Sequence, residues 1–230
     1  MAKKDILGLE KYREAIMSCN RRSDGDATKA KILDAAGNLI ALHGFAQTSN
    51  KAIAQAAEVD LAAINYHFNG RDGLYKAVLI EAHAHYIDEQ YLIDLVESAL
   101  IPEEKLQQFF KTLIEKICDT GQWHSKVFIR ELLSSSIHLQ DFMQHEVARK
   151  LQLIQNIICQ ISGIDEQHPM LLPMTLSIVA PCMMLIIATS TNIPHSPLLP
   201  IIHLPPEQLA RHFSQFALAG LQANFPNHIK

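Results

Sequence analysis

Apolar side chains recur three or four positions apart along most of the chain, which is the spacing of one face of an α-helix. In residues 28–42 such a face carries Ile32, Ala36, Leu39 and Ile40. Alternation of apolar and polar residues, the pattern of a half-buried strand, is scarce. The periodicity therefore predicts an all-α protein of about nine helices.

Turn residues divide the first third of the chain into short helices. Gly44 suits the left-handed cap that ends the helix over 28–42. A second helix is predicted over 50–57, and either Thr48 or Ser49 is placed to cap its first turn. These signals predict two helices joined by a short, sharp turn.

A third short helix is predicted over residues 61–67. Asp60 is a natural N-cap for it, and the Asn-Gly pair at 69–70 breaks it. Later helices are predicted at 72–100, 103–119, 122–136, 139–162, 168–190 and 206–223.

This order of helices predicts three regions of the chain. Residues 1–26 form an N-terminal arm whose order the pattern leaves open. Residues 27–75 form a three-helix, helix-turn-helix unit, and residues 76–230 form a larger helical bundle. The long helix over 72–100, ended by Pro102, is expected to join the two folded regions.

The segment between Met170 and Ile193 carries no charged residue, so its helix is expected to be buried on all sides. In a body of this size, that burial predicts contact with a second subunit. Pro173 and Pro181 are expected to bend or interrupt the helix, so we predict no membrane span. The chain start, MAKKDILGLEK, lacks the apolar stretch of a signal peptide, and a cytoplasmic protein is expected.

Charge and candidate chemistry narrow the function classes only in part. The net charge is −4, with 11 Lys+Arg against 9 Asp+Glu in residues 1–80 and 9 against 15 in residues 81–230. This positive excess is too small to predict nucleic-acid binding by itself. The four cysteines form no CxxC pair, and HExxH, GxSxG, P-loop and GxGxxG motifs are missing from the sequence. We therefore predict no catalytic site, no metal site and no cofactor.

The outer face of the third helix carries a different kind of candidate chemistry. When Ile64 faces the core, Ala62 and Tyr66 face outward, with Ala63 and Asn65 beside them. Small residues permit close approach to a surface, and an asparagine can bond to an adenine edge in the major groove. The lengths of the second helix, the turn and the third helix are those of a helix-turn-helix.

The segment TKAKILDAAGNLIALHGFAQTSNKAIAQAAEVDLAAINYHFNGRDGLYKAVL resembles the DNA-binding domain of the TetR family of bacterial transcriptional regulators. Its most specific parts are GF at 44–45, TS at 48–49, IAQAAEV at 53–59 and INYHFNGRDGL at 64–74. The resemblance implies a homodimer, a palindromic operator and a C-terminal ligand-binding body, with repression as the usual outcome. Together with the outer face of the third helix, it predicts DNA contacts from Thr48, Ser49, Lys51, Ala62, Ala63, Asn65, Tyr66, His67 and Arg71.

Three positions depart from the family pattern. Glu58 stands where glycine is usual in the turn between the two helices, so the turn must form without it. Leu61 stands where lysine or glycine is frequent, and Asn65 where tyrosine is frequent. The docking of the motif is expected to survive these changes, but the base sequence that it recognises does not carry over.

The C-terminal body resembles the CecR-like subgroup over FIRELLSSSIHLQDFMQHEVARKLQLIQNIICQISGI, residues 128–164. Apolar residues surround Arg130 and Glu131, which are therefore expected to reach inward. An apolar pocket with few polar groups is the usual ligand site of a helical bundle. Candidate ligand contacts are Tyr91, Phe110, Trp123, Phe128, Arg130 and Met184, although the default interpretation of the aromatic residues and the methionine is that they belong to the core.

The leading hypothesis is a ligand-responsive regulator, most simply a repressor, that binds an operator in double-stranded DNA as a homodimer. Its subunits are expected to meet through the helices over 168–190 and 206–223, and a small-molecule effector is expected to release it. An alternative is a helical protein–protein interaction module that does not bind DNA. Affinity for nucleic acid at low salt separates these two hypotheses. A third alternative, an enzyme built on the body, lacks a set of candidate residues.

Overall fold

The computed structural model describes residues 24–119, 122–134, 137–190 and 199–224. Within these ranges the chain is helical and contains no strand, which confirms the all-α class. The chain divides into two compact units, the first ending at Val78 and the second beginning at Leu79. Most of the predicted N-terminal arm lies outside the described residues.

From residue 24 onward, where the structure describes it, the first unit contains three complete helices and the start of a fourth. These are α1 over residues 24–43, α2 from Asn50–Ala56, α3 from Leu61–Phe68 and α4 from Arg71–Ala84. Its core includes Ile32, Ile40, Ile53, Ile64, Phe68 and Leu74, all buried. The two helices predicted at 50–57 and 61–67 are therefore confirmed to within a residue.

Local side chains fix the ends of these short helices. Ser49 Oγ accepts a hydrogen bond from the Ala52 amide at 3.1 Å, and Asp60 Oδ1 accepts one from the Ala62 amide at 2.7 Å. Gly44 and Asn69 take the left-handed conformation, with φ of 84° and 57°, after α1 and α3. Of the two predicted caps for α2, Ser49 is the one that binds.

The single helix predicted over 72–100 is wrong, because the chain forms two helices there. After α4, the segment 85–88 is non-helical, and α5 spans Glu89–Glu97. The Asp88 side chain caps the start of α5 by accepting a hydrogen bond from the Tyr91 amide at 3.1 Å. The N-cap at Asp88 starts a new helix there, and the apolar periodicity, which continues across the break, did not reveal it.

The rest of the second unit is a bundle around one apolar core. Its helices are α6 from Pro102–Cys118, α7 from His124–Leu132, α8 from Ile137–Phe142, α9 from Ala148–Ser162, α10 from Leu171–Ser190 and α11 from Pro206–Asn224. A π-turn at Met143–Val147 joins α8 directly to α9, and a short 3-10 helix spans Leu199–His203.

Helices α6, α9 and α10 supply most of this core, and α11 packs chiefly against α6. Phe109, Phe110 and Ile158 are among its fully buried side chains. Helix α10 continues through Pro181, so this proline does not interrupt the helix. By length and composition alone, α10 is the one described helix that is able to cross a membrane, and 39% of its most apolar window is buried within the chain.

Candidate nucleic-acid interface

The outer face of α3 is exposed as its sequence pattern predicts. Tyr66 is 83% exposed, and Asn65 and Ala62 are exposed beside it. Ala63 and His67 are half-buried at the edges of this face, while Ile64 is fully buried on the opposite side. A tyrosine this open contributes little to the core, so its place on the helix leaves it available to a partner.

Tyr66 and His67 also lie against each other. Their ring centroids are 4.9 Å apart with the planes 85° apart, an edge-to-face contact. The flanking Phe68 ring is buried in the core of the unit. The contact therefore limits the directions that the Tyr66 side chain takes, although the ring remains exposed.

The residues at the start of α2 have two different placements. Ser49 and Lys51 are exposed, and the Ser49 hydroxyl caps the helix. Thr48 is only 3% exposed, and its hydroxyl donates to the Gly44 carbonyl at 2.8 Å. That hydrogen bond holds the buried Thr48 side chain against the loop between α1 and α2, so Thr48 supports this loop instead of facing solvent.

Arg71 ties the first turn of α4 to the loop between α1 and α2. Its guanidinium Nη2 donates to the Phe45 carbonyl at 2.5 Å, and its carbon Cζ lies 4.5 Å from the centroid of the Phe45 ring. The Phe45 ring in turn stacks on Tyr75, with centroids 3.9 Å apart. The guanidinium has five N–H donors in all, so this arrangement still leaves donors for a phosphate.

The turn between α2 and α3 forms without glycine. Glu58 has a φ of 55°, which places an exposed side chain in the left-handed region that glycine favours. The amide of Val59 donates to the Ala54 carbonyl at 3.0 Å and closes the turn. The backbone at Glu58 thus makes the turn between the two helices, and the left-handed conformation of this residue is strained.

Gly73 is a structural residue of this unit that the sequence pattern did not single out. A Cβ at this position would lie 1.8 Å from the carbonyl oxygen of Phe68. Glycine therefore allows the first turn of α4 to approach the end of α3. Its place inside the GRDGL motif was the available signal, but only the contact gives the reason.

The predicted ligand residues of the body differ in how far they are buried. Phe110, Trp123 and Phe128 are buried, Tyr91 is half-buried, and Arg130 and Met184 are exposed. The Tyr91 hydroxyl lies 2.8 Å from the Thr112 hydroxyl. Of the charged pair expected to reach inward, Glu131 is buried, whereas Arg130 is not.

A small polar cavity lies elsewhere in the body and was not predicted. Its volume is about 70 Å³, and its lining includes His85, Tyr86, His124, Ser125 and Ser190. Burial raises the pKa of Tyr86 to about 12, although a hydrogen bond with Ser125 opposes the shift. The pKa of His85 is lowered, first by burial and then by the charge of Lys116. The cavity is thus lined by hydroxyl groups and by a histidine whose neutral form is favoured.

An apolar face of α10 and α11 is open to solvent. Leu172 and Leu176 on α10 are each 53% exposed, and Phe216 on α11 is 73% exposed. A groove of about 270 Å³ runs beside Phe216 and is lined by Met174, Ile178 and Gly220 among others. The lack of charge predicts that helix α10 is buried on all sides, but part of its surface is exposed within one chain.

Two family models match this chain. Residues 32–78 match the model described as bacterial regulatory proteins of the tetR family. Residues 102–223, more than half of the chain, match the C-terminal domain of the HTH-type transcriptional dual regulator CecR. The chain belongs to the TetR family. Both resemblances seen in the sequence are thereby confirmed, and a DNA-binding helix-turn-helix and a role in transcription regulation follow from this membership.

Among curated proteins, this TetR-family chain is similar to the "Probable HTH-type transcriptional regulator YttP" of Bacillus subtilis (strain 168). The two sequences are 27% identical over 132 residues, which cover 57% of this chain. The matched region spans 63% of the length of that relative.

Solved structures of regulators share the fold. The fatty acid degradation regulator FadR from Bacillus halodurans superimposes with a TM-score of 0.66 at 19% identity, covering 83% of this chain and 98% of that one. The regulator FadR from Bacillus subtilis, solved in complex with stearoyl-CoA, gives a TM-score of 0.64 at 16% identity, with the same two coverages. At these identities the likeness shows the fold alone.

Proposed function

We propose that this TetR-family chain is a repressor that binds a palindromic operator as a homodimer and is released by a small molecule. The observation that carries the DNA-binding part is the outer face of α3, where Asn65 and the 83% exposed Tyr66 stand beside Ala62. On this proposal α3 enters the major groove, and Ala62 lets the helix lie close to the base edges. Asn65 and Tyr66 read the bases, with Asn65 suited to adenine.

The other predicted DNA-contact residues position α3 on the duplex. Ser49 and Lys51 bind phosphate at the start of α2, where the amide groups of the first turn face the same way. Arg71 bonds to phosphate through the donors that Phe45 leaves over, and His67 and Ala63 border the reading surface. Thr48 contributes through its bond to the Gly44 carbonyl, which holds the loop before α2 in place.

A polarisation titration against the DNA that flanks the gene tests this assignment. The double variant Asn65→Ala/Tyr66→Ala should lose at least tenfold in affinity for the specific site, since each lost base contact costs about 1–3 kcal/mol. Lys51→Ala should instead weaken binding to all sequences and make the salt dependence shallower by about one phosphate contact. Lys31→Ala, an exposed lysine on α1, is the matched control.

Two outcomes would decide against the proposal. Specific affinity that survives the double variant would remove α3 as the reading helix. Failure of the wild-type protein to bind any nucleic acid at low salt would favour the alternative, a helical protein–protein interaction module. The salt slope separates the two, because phosphate contacts release counterions and protein contacts of an uncharged face do not.

The homodimer is proposed to form through α10 and α11. The support is the exposed apolar face, in which Leu176 is 53% exposed and Phe216 lines a groove of about 270 Å³. A second copy of the chain buries this face symmetrically and supplies the partner that the uncharged helix α10 requires. A bilayer is the rival occupant, because α10 also has the length and composition of a membrane span.

Light scattering and vesicle flotation separate these two occupants. The wild-type protein should have the mass of a dimer and should remain unbound to phosphatidylcholine vesicles. Leu176→Glu/Phe216→Glu should give a folded monomer, since a buried unpaired carboxylate opposes association. Gln215→Glu, an exposed position on the same helix, should leave the dimer intact. A wild-type monomer that floats with the vesicles would overturn the proposal, including a cytoplasmic location.

The effector is proposed to bind within the body, where the candidate contacts remain Tyr91, Phe110, Trp123, Phe128, Arg130 and Met184. The cavity beside His85 has a volume of about 70 Å³, whereas sites for drug-sized ligands have about 300–1,000 Å³. An effector of that size does not fit this cavity, whereas a groove of about 580 Å³ lined by Glu89, Ile93 and Arg149 has the required volume. An effector that binds one state of the body more tightly than another releases DNA in proportion to that difference in affinity.

A further inference from the structure

Lys150 is a buried lysine at the start of α9, and it reaches the point where α4 gives way to α5. It is 4% exposed. Its Nζ donates to the Ile87 carbonyl at 2.9 Å and lies 3.1 Å from His83 Nδ1. His83 belongs to the last turn of α4, and Ile87 lies in the non-helical segment before α5. One ammonium group therefore holds both sides of this junction.

The acceptor His83 is held in a form that suits this bond. Its ring centroid lies 5.3 Å from that of Phe128 and 5.3 Å from that of Phe142. Burial, and then the charge of Lys150, lower the pKa of His83 to about 3. The imidazole is thus neutral at ordinary pH, and the contact with the lysine places its proton on Nε2 and leaves Nδ1 to accept.

The π-turn before α9 brings Lys150 to this position. In a regular α-helix, residues eight positions apart such as Phe142 and Lys150 differ by about 80° around the axis. The amide of Ala148 instead donates to the Met143 carbonyl, five positions back, so the turn absorbs one extra residue. The difference falls to about 20°. Phe142 and Lys150 consequently share one face, and both contact His83.

A second buried lysine holds the other end of α5. Lys105, on α6, donates from Nζ to the Val96 carbonyl at 2.6 Å. In addition, Arg149 Nη2 lies 2.6 Å from the Glu89 carboxylate at the start of α5. Buried lysines therefore hold the end of α5 and the segment just before its start, while the Arg149–Glu89 pair has an exposed arginine and contributes little.

We infer that Lys150 is a positioning residue that couples α9 to the α4–α5 junction and thereby sets DNA affinity. Helix α4 begins at Arg71, within the DNA-binding unit, and ends one residue after His83, so a change at its end reaches a helix that both units share. Burial lowers the pKa of Lys150, because the charged ammonium group loses its hydration, and this desolvation destabilises the fold. An apolar side chain of similar length would fill the same space without that cost, so the bonds to Ile87 and His83 are what the lysine adds.

Hydrogen exchange and DNA binding together test this inference, which rests on the proposed function for its second part. In Lys150→Met, the amides of residues 85–92 should exchange at least tenfold faster, because the Ile87 carbonyl loses its bond, while the α6 and α10 amides keep their rates. The imidazole ¹⁵N resonance of His83 should shift as Nδ1 loses its donor. The dissociation constant for operator DNA should change by tenfold or more.

The matched control is Arg149→Met, which removes the neighbouring charge and its exposed ion pair with Glu89. It should leave the His83 resonance in place and change DNA affinity less than threefold. Lys150→Gln, which retains a shorter donor, should give intermediate exchange rates and serves if Lys150→Met does not fold.

The outcomes separate the two parts of the inference. Unchanged exchange over residues 85–92 in Lys150→Met and Lys150→Gln would overturn the positioning role. Faster exchange with unchanged DNA affinity would overturn the coupling. A wild-type protein that binds no DNA would refute the proposed function, while the exchange and resonance measurements still judge the positioning role.

Discussion

Gly73 lies against the carbonyl oxygen of Phe68 so closely that a Cβ would stand 1.8 Å from that oxygen. Gly73→Ala should therefore destabilise the DNA-binding unit by about 3 kcal/mol or more, since backbone atoms must move to relieve the overlap. Thermal unfolding followed by circular dichroism measures the loss. Asp72→Ala, an exposed neighbour in the same turn, is the control and should change stability by less than about 1 kcal/mol. Equal midpoints for the two variants would contradict the close approach.

Glu58 carries the opposite kind of prediction, because its left-handed φ of 55° favours glycine. Glu58→Gly should stabilise the protein by about 1 kcal/mol, as the residue no longer holds a Cβ in a strained conformation. Glu58→Ala keeps the Cβ and removes only the carboxylate, so it should not stabilise the fold. Chemical denaturation of both variants gives the comparison. A stabilising alanine would assign the effect to charge instead of backbone strain.

His83 makes stability depend on pH. Its pKa is lowered from 6.5 in the unfolded chain to about 3 in the folded protein, so only the unfolded state takes up a proton between these values. The stabilisation is complete above pH 6.5 and is lost as the pH falls toward 3, by up to about 1.4 kcal/mol per pH unit. Urea unfolding at pH 7.5 and 5.5 should show a smaller loss for His83→Gln than for the wild type. His43→Gln, at an exposed position, controls for the removal of an imidazole.

The π-turn at Met143–Val147 should tolerate a deletion that an α-helix does not. Deleting Gln144, an exposed residue of that turn, converts it to a regular turn and leaves Phe142 and Lys150 seven positions apart on one face. Stability and the His83 resonance should stay close to the wild-type values. Deleting exposed Gln152 within α9 should be strongly destabilising, because it rotates every earlier residue by about 100°. Similar losses for the two deletions would show that the turn absorbs no extra residue.

The helix-turn-helix was predictable because local residues determine it. Ser49 and Asp60 cap the helices that follow them, and Asn69 and Gly44 supply the left-handed ends. Each of these effects acts over a few positions, so the sequence contains the whole cause. The exposure of Tyr66 and the burial of Ile64 follow from the same helical periodicity.

Contacts between distant parts of the chain decided the rest. Nothing near Thr48 in the sequence distinguishes a hydroxyl that points outward, or caps α2, from one that donates to the Gly44 carbonyl. Arg130 and Glu131 share one apolar neighbourhood in the sequence, but the orientation of α7 buries only Glu131. The candidate ligand contacts were chosen by residue type alone, and packing buried Phe110, Trp123 and Phe128 but left Arg130 and Met184 exposed.

The sequence by itself determined the all-α class, the helix-turn-helix and the face of α3 that carries Asn65, because caps and periodicity act locally. Only the tertiary structure decided the break between α4 and α5. The apolar periodicity runs on through that segment, and the Ile87 carbonyl released there accepts its hydrogen bond from Lys150, which lies 63 positions further along the chain. A buried polar group must be satisfied, and its partner is chosen by the packing of the whole body.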